Sequence, residues 1–203
     1  MLYFVFRFFI RIFLRVFNRL KVEGLENLPK NDPIIIVANH SSYLDPLAVS
    51  CSIPRKIYWM VLEPIYRLWW LNWFFRGSSA FPAGIENWSI GSIRQALATL
   101  KGGKIVGIFP EGGRSFSGKL GQIKAGAACL SLKSGAPILP IGIQGAFESY
   151  PSQRLLPRPY PVKICIGKKL VIKPIKKYNK ETVNSINDLI KSFIQELMEQ
   201  KYM

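Results

Sequence analysis

One histidine, His40, stands in 203 residues. Any chemistry that needs an imidazole near neutral pH must therefore use that residue. The scarcity also argues against a metal site. Cys51, Cys129 and Cys165 are scattered and odd in number, with one histidine to join them, so no zinc cluster at a familiar spacing is expected. The same three thiols offer no disulfide framework and fit a reducing compartment, packing as small hydrophobes. Acidic residues are few, 12 against 28 Lys and Arg, giving a net charge of +16. With 49% of residues hydrophobic, that imbalance points to a polyanion or an acidic membrane surface as partner. The basic residues form no dense block and no nucleic-acid motif is present, so nucleic acid is not expected. No apolar run reaches the roughly 18–20 residues of a spanning helix. No small-residue cleavage site follows the N-terminal segment, so a cleaved leader is not expected either. Without a Gly-x-Ser-x-Gly elbow, serine hydrolase chemistry has little support.

What is present begins with residues 1–20, almost all large and apolar but interrupted by Arg7, Arg11, Arg15 and Arg19. On a helix these arginines form a slowly drifting stripe, with Phe, Ile, Leu and Val over the remaining surface. The pattern predicts an amphipathic membrane-interface helix, its apolar face among acyl chains and its arginines at anionic headgroups. A second apolar-aromatic stretch, residues 57–75, holds Trp59, Trp69, Trp70 and Trp73. It is read as a membrane-facing surface, with an aromatic core helix as the alternative.

Residues 21–203 read as one α/β domain, a mixed and mostly parallel sheet flanked by helices. Residues 21–32 are a polar connection. Strands are predicted at 34–38, 56–61, 104–109 and 137–143, with a hairpin or pair at 162–166 and 170–172. Helices are predicted at 46–52, 87–101, 124–133 and 182–201.

His40 lies in Asn39-His40-Ser41-Ser42-Tyr43-Leu44-Asp45-Pro46, just past the first strand. Residues five apart on a straight helix are about 140° apart round the axis and do not share a face. Here, however, a strand ends near Ala38, and Asp45-Pro46 reads as an N-cap followed by proline in the first turn. The connection can curl so that Asp45 reaches the imidazole, fixes its tautomer and stabilises its protonated form. From these eight residues alone, a lone loop histidine beside a capping aspartate is an equally good reading.

The strand at 104–109 runs into Phe109-Pro110-Glu111-Gly112-Gly113-Arg114-Ser115. Arg114 can fork onto a phosphate or carboxylate, Glu111 can accept from ligand hydroxyls, and the glycines let backbone N–H groups approach an anion. A Gly-rich turn with solvated charges is the plainer alternative. Gly113 to Lys119 imitates the start of a phosphate-binding loop, but Leu120 stands where that motif needs Ser or Thr, so nucleotide binding is set aside.

Together the two blocks resemble the first and third motifs of the glycerolipid acyltransferases, most closely the 1-acyl-glycerol-3-phosphate (lysophosphatidate) acyltransferases. Lys124-Ala125-Gly126 and Ala136-Pro137-Ile138-Leu139-Pro140-Ile141 resemble the segments that follow, so the likeness spans about residues 20–170. It implies transfer of a fatty acyl group from a thioester, acyl-CoA or acyl-ACP (acyl carrier protein), to the free hydroxyl of 1-acyl-glycerol-3-phosphate, a lysophospholipid, giving phosphatidate in phospholipid biosynthesis. It needs no cofactor beyond the thioester co-substrate. By that resemblance His40 is the general base and Asp45 its orienter. Glu111, Gly112, Arg114, Ser115 and Lys124 bind substrate, with backbone N–H groups near Gly112 as a candidate oxyanion site. The implied place is the cytoplasmic face of a membrane, peripheral or monotopic, among membrane lipids. One departure stands out. Ala80-Phe81-Pro82-Ala83-Gly84-Ile85-Glu86 lacks the arginine that the family's second motif carries, with Arg76 or Arg94 as possible substitutes. Another lysolipid or amino-lipid is therefore the alternative acceptor, and a non-catalytic membrane-binding protein the alternative of another class.

Overall fold

The computed structural model describes residues 2–67, 80–84, 89–175 and 177–200. Its strands are β1 (Lys21–Glu23), β2 (Ile34–Ala38), β3 (Ile57–Leu62), β4 (Phe81–Ala83), β5 (Ile105–Ile108), β6 (Ile138–Gln144) and β7 (Lys163–Ile166). They form one sheet in the order β1-β7-β6-β2-β5-β3-β4. β2 to β6 all run one way, whereas β7 is antiparallel to β6 and β1 is parallel to β7. The helices are α1 (Leu2–Phe17), α2 (Asp45–Ser52), α3 (Glu63–Tyr66), α4 (Ile90–Lys101), α5 (Gly126–Ser134), α6 (Ala146–Ser149) and α7 (Lys180–Glu199). The fold is α/β, with a mixed, mostly parallel sheet between helical layers.

The central strand shows why. Ile34-Ile35-Ile36-Val37-Ala38 is buried at every position, so both faces of β2 need a covering layer. Alternate side chains go to opposite faces. Ile34, Ile36 and Ala38 join Leu14 of α1 and Ala48 and Val49 of α2 in one core. Ile35 and Val37 join Ala96 of α4, Leu130 of α5 and Ile190 of α7 in the other. Gly135 ends α5 in the left-handed conformation at φ 71°, which a residue with a Cβ adopts only with strain.

Several expectations need correction. Residues 21–32 are not only a connection: β1 pairs with β7 there, and a 3-10 turn follows at Leu25–Asn27. The segments at 162–166 and 170–172 do not pair with each other. β7 pairs with β6 and β1, and Leu170 makes an isolated bridge to Ile138. Trp59 does not face outward: it is buried in β3, and its indole N–H donates to Ser50 Oγ at 2.9 Å. Trp69, Trp70 and Trp73 lie outside the described residues, as does Arg76.

The N-terminal helix divides its surface in three. Ile10 and Leu14 pack on the core beside α2, and Leu14 is fully buried. On the opposite side Val5, Phe8, Phe9, Ile12 and Val16 are exposed, and Phe6 and Phe13 are exposed on one flank. Arg11 and Arg15 are exposed between the two faces, at the positions 100° per residue assigns them. Arg7 departs from the expected headgroup role. Its guanidinium donates to the carbonyls of Ile53 and Pro54, where a cation complements the C-terminal end of α2. The boundary expected at residue 20 is thus no packing boundary, since Leu14 shares a core with Ile34.

Candidate active site

β2 and β5 are adjacent parallel strands, with Val37 opposite Ile108. Their C-terminal ends deliver His40 and Glu111 to one place, the end of a parallel sheet where α/β folds bind ligands.

The connection after β2 winds around one carboxylate. Asp45 Oδ2 accepts from Ser41 N and Ser42 N, both at 2.7 Å, and lies 2.8 Å from His40 Nδ1. Asp45 is fully buried, and Leu44 rather than Asp45 is the N-cap of α2. The aspartate therefore does not cap its helix. It collects the backbone of the preceding loop and turns the imidazole toward itself, so the curl comes from the side chain it serves. With Oδ2 already accepting from two amides, an Nδ1–H completes its set of donors and leaves the lone pair on Nε2, while Oδ1 is buried with no hydrogen-bond partner among the described residues. That is the tautomer a general base needs.

Three further contacts fix His40. Its N–H donates to Glu111 Oε1 at 2.7 Å, and its carbonyl accepts from Ser115 N at 2.7 Å. Its ring stacks on Phe109 with centroids 4.0 Å apart, and Phe109 stacks on Trp59 at 4.7 Å. Gly107 makes room for that column, because a Cβ there would stand 2.5 Å from Trp59 Cε3. Asn39, buried beside His40, ties β2 to β6 by accepting from Ile143 N at 2.7 Å and donating to Ile143 O at 3.0 Å.

The Gly-rich block has a division of labour that the sequence did not suggest. Both oxygens of Glu111 hold backbone, Oε1 at His40 N–H and Oε2 at Gly121 N–H at 2.8 Å. Burial pushes the Glu111 carboxyl above the usual glutamate range, against those two hydrogen bonds, which favour the ionised form. Gly112 sits at φ 70°, and its N–H donates to Phe109 O at 3.0 Å. That amide is in use within the turn, so Gly112 itself is not the expected oxyanion donor. The Lys124 side chain covers this turn, with Nζ 2.7 Å from where a Cβ on Gly112 would stand. Ser115 contributes its N–H to His40, and its Oγ is 3.3 Å from Ser117 Oγ. The Arg114 guanidinium lies over the exposed Tyr43 ring, 3.7 Å from its centroid, and its buried Nη1 has no hydrogen-bond partner among the described residues. A charged donor left unpaired in a half-buried position fits an anionic ligand group.

Of the second-motif segment, residues 81–83 form β4 at the sheet edge, and Ile85 and Glu86 lie outside the described residues. Arg94 is exposed on α4. Among the described residues no group of three His, Cys, Asp or Glu could hold a metal ion. The residues missed by sequence reasoning are Phe109, Trp59, Tyr43, Tyr150 and Gly121. Phe109 and Tyr43 had a signal, their places inside the two blocks around Glu111 and His40.

A carboxylate-imidazole pair at the strand ends can take a proton from a hydroxyl, and the Arg114 guanidinium over Tyr43 can attract an anion. The model of the acyltransferase family matches residues 19–144, which include both blocks. The chain belongs to that family and is an acyltransferase. It is 31% identical to the 1-acyl-sn-glycerol-3-phosphate acyltransferase of Bacillus subtilis over 137 residues, 67% of this chain and 68% of that protein. A chloroplast 1-acyl-sn-glycerol-3-phosphate acyltransferase of Arabidopsis thaliana is 30% identical over 67% of this chain and 39% of its own length. The crystal structure of the 1-acyl-sn-glycerophosphate acyltransferase PlsC from Thermotoga maritima superposes with a TM-score of 0.72 at 25% identity, covering 97% of this chain and 83% of that one.

Proposed function

We propose that the protein transfers a fatty acyl group from a thioester to the free hydroxyl of 1-acyl-glycerol-3-phosphate, giving phosphatidate. The observation that carries the reading is the orientation of His40, with Nδ1 on the buried Asp45 and the opposite ring nitrogen left as the base. His40 Nε2 takes the proton of the acceptor hydroxyl as its oxygen attacks the thioester carbonyl carbon. The resulting imidazolium is stabilised by Asp45. The tetrahedral intermediate collapses with cleavage of the C–S bond, and the thiolate takes the proton back from His40. No enzyme nucleophile and no cofactor is needed. Arg114 Nη1 is the donor we assign to the acceptor phosphate, with Lys124 as a neighbouring cation.

The same reading puts the protein at a membrane surface, on the cytoplasmic face. Among the described residues no helix is long and apolar enough to cross a bilayer. The outward Phe, Ile and Val side chains of α1, flanked by Arg11 and Arg15, support interfacial binding. The free thiols of Cys51, Cys129 and Cys165 support a reducing compartment. CoA and acyl carrier protein are the two candidate carriers of the acyl group.

The second-motif segment without arginine favours one alternative, a different lysolipid or amino-lipid as acceptor. The test is acyl transfer by the purified protein in lipid micelles, with each thioester carrier and a panel of lysolipids, beside His40→Ala. Phosphatidate made by the wild type and not by the variant is the expected result. Transfer to another lysolipid only would reassign the acceptor. No transfer to any of them would overturn the reading and leave a membrane-binding protein.

A further inference from the structure

Outside α1 the largest exposed apolar side chains near the site gather on two loops. Leu155 is 93% exposed, Leu156 76% and Phe116 74%. Two consecutive leucines turned to water are costly unless something apolar receives them. They do not sit on a loose chain. Tyr150 Oη donates to Leu155 O at 3.0 Å, Arg154 N to Pro151 O at 3.1 Å, and Arg158 N to Ser149 O at 2.9 Å. Gln153 Nε2 donates to Phe116 O at 3.3 Å, which joins the two loops. The exposed cations Arg154, Arg158 and Lys119 rim the apolar tip, and Glu148 carries an acidic group nearby, its carbonyl accepting from Arg158 Nε.

The tip adjoins the site. Ser42 pairs with Pro151 in an isolated bridge and donates to Tyr150 O at 2.6 Å, and the Tyr43 and Tyr150 rings are 5.2 Å apart. It is also fastened to α1. Asn18, fully buried just past that helix, donates to Ser149 Oγ at 2.7 Å and to Tyr160 O at 3.0 Å, so it holds both ends of the loop.

We propose that residues 150–160, with Phe116, are a second membrane-insertion point beside the site. Leu155, Leu156 and Phe116 enter the acyl region of a leaflet, and Arg154, Arg158 and Lys119 meet anionic headgroups. The inference rests on the membrane reading above and adds where the bilayer touches the protein. With α1 as one support and this tip as the other, the site lies beside the surface from which a lipid acceptor arrives.

The test uses the full chain with Leu155→Cys carrying an environment-sensitive fluorophore, and wild type taken through the same labelling as background. The probe is a vesicle of equal phosphatidylglycerol and phosphatidylcholine. The expected result is a blue-shifted emission on vesicle addition, quenched by brominated acyl chains. Leu155→Ser with Leu156→Ser is expected to weaken vesicle binding by about tenfold or more. It leaves transfer to a water-soluble short-chain acceptor unchanged. A label that keeps its aqueous emission while the protein binds vesicles overturns the proposal and leaves α1 as the sole anchor. A shift with acyl carrier protein and none with vesicles overturns it too, and assigns the patch to that donor. A wild type that ignores vesicles altogether removes the membrane reading along with it.

Discussion

Replacing Glu111 with glutamine exchanges one carboxylate oxygen for an amide NH2 at constant volume. In the native site each oxygen holds one backbone N–H, His40 at 2.7 Å and Gly121 at 2.8 Å. The amide has a single acceptor oxygen, so one of the two N–H groups must face another donor. Leaving a part-buried N–H unpaired costs about 1–3 kcal/mol, more where the lost bond was charge-assisted. If that strain displaces the His40 backbone, the barrier rises by a similar amount, and turnover falls roughly 5- to 150-fold. The assay is steady-state acyl transfer with lysophosphatidate varied at saturating thioester. The expected outcome is a kcat lowered by about fivefold or more, with KM for the acceptor held within about twofold. A KM raised tenfold or so at unchanged kcat would refute the reasoning, because it would mean that Glu111 holds the acceptor and not the base.

Asp45→Asn keeps the shape of the loop but lets His40 take the wrong tautomer. It is expected to lower kcat by roughly 10³-fold or more, with near-native far-UV circular dichroism. Because burial raises the Glu111 carboxyl in the folded state, the native protein binds more protons than the unfolded chain in that window. This contribution is present in full at low pH and is lost as pH rises out of the ordinary glutamate range. Wild-type stability relative to Glu111→Gln should therefore fall between mildly acidic and neutral pH in parallel thermal melts. Lys163 is fully buried and its Nζ lies 2.8 Å from Glu23 Oε2, which is 30% exposed. Glu23→Ala takes the carboxylate away from a buried ammonium and is expected to cost on the order of 2 kcal/mol in urea unfolding, whereas Lys163→Met is expected to cost less.

The strand at β2 and the helices α4, α5 and α7 were legible because each follows from local pattern. The same holds for the meeting of His40 and Asp45, five residues apart. What could not be read depends on neighbours distant in sequence. β1 is three residues long and exists because Val162 and Lys163 offer it partners across some 140 residues of chain. Trp59 resembled an interface tryptophan, yet Phe109 and Gly107 make a slot for it in the core. Glu111 was read as facing a ligand because a sequence shows a carboxylate but not the amides that it meets. The three faces of α1 were half visible. Composition revealed an apolar surface, but not that Ile10 and Leu14 belong to the domain while the phenylalanines do not.

That division decides how the exposed apolar surface of α1 can be reduced. Cutting the chain after residue 20 would remove Leu14 from the floor of the core, Arg7 from the end of α2 and Asn18 from the loop beside the site. A shortened chain would be a damaged one. Repainting is the better route: polar substitutions at Phe8, Phe9, Ile12 and Val16 alter only the outward surface and leave the inner joinery untouched.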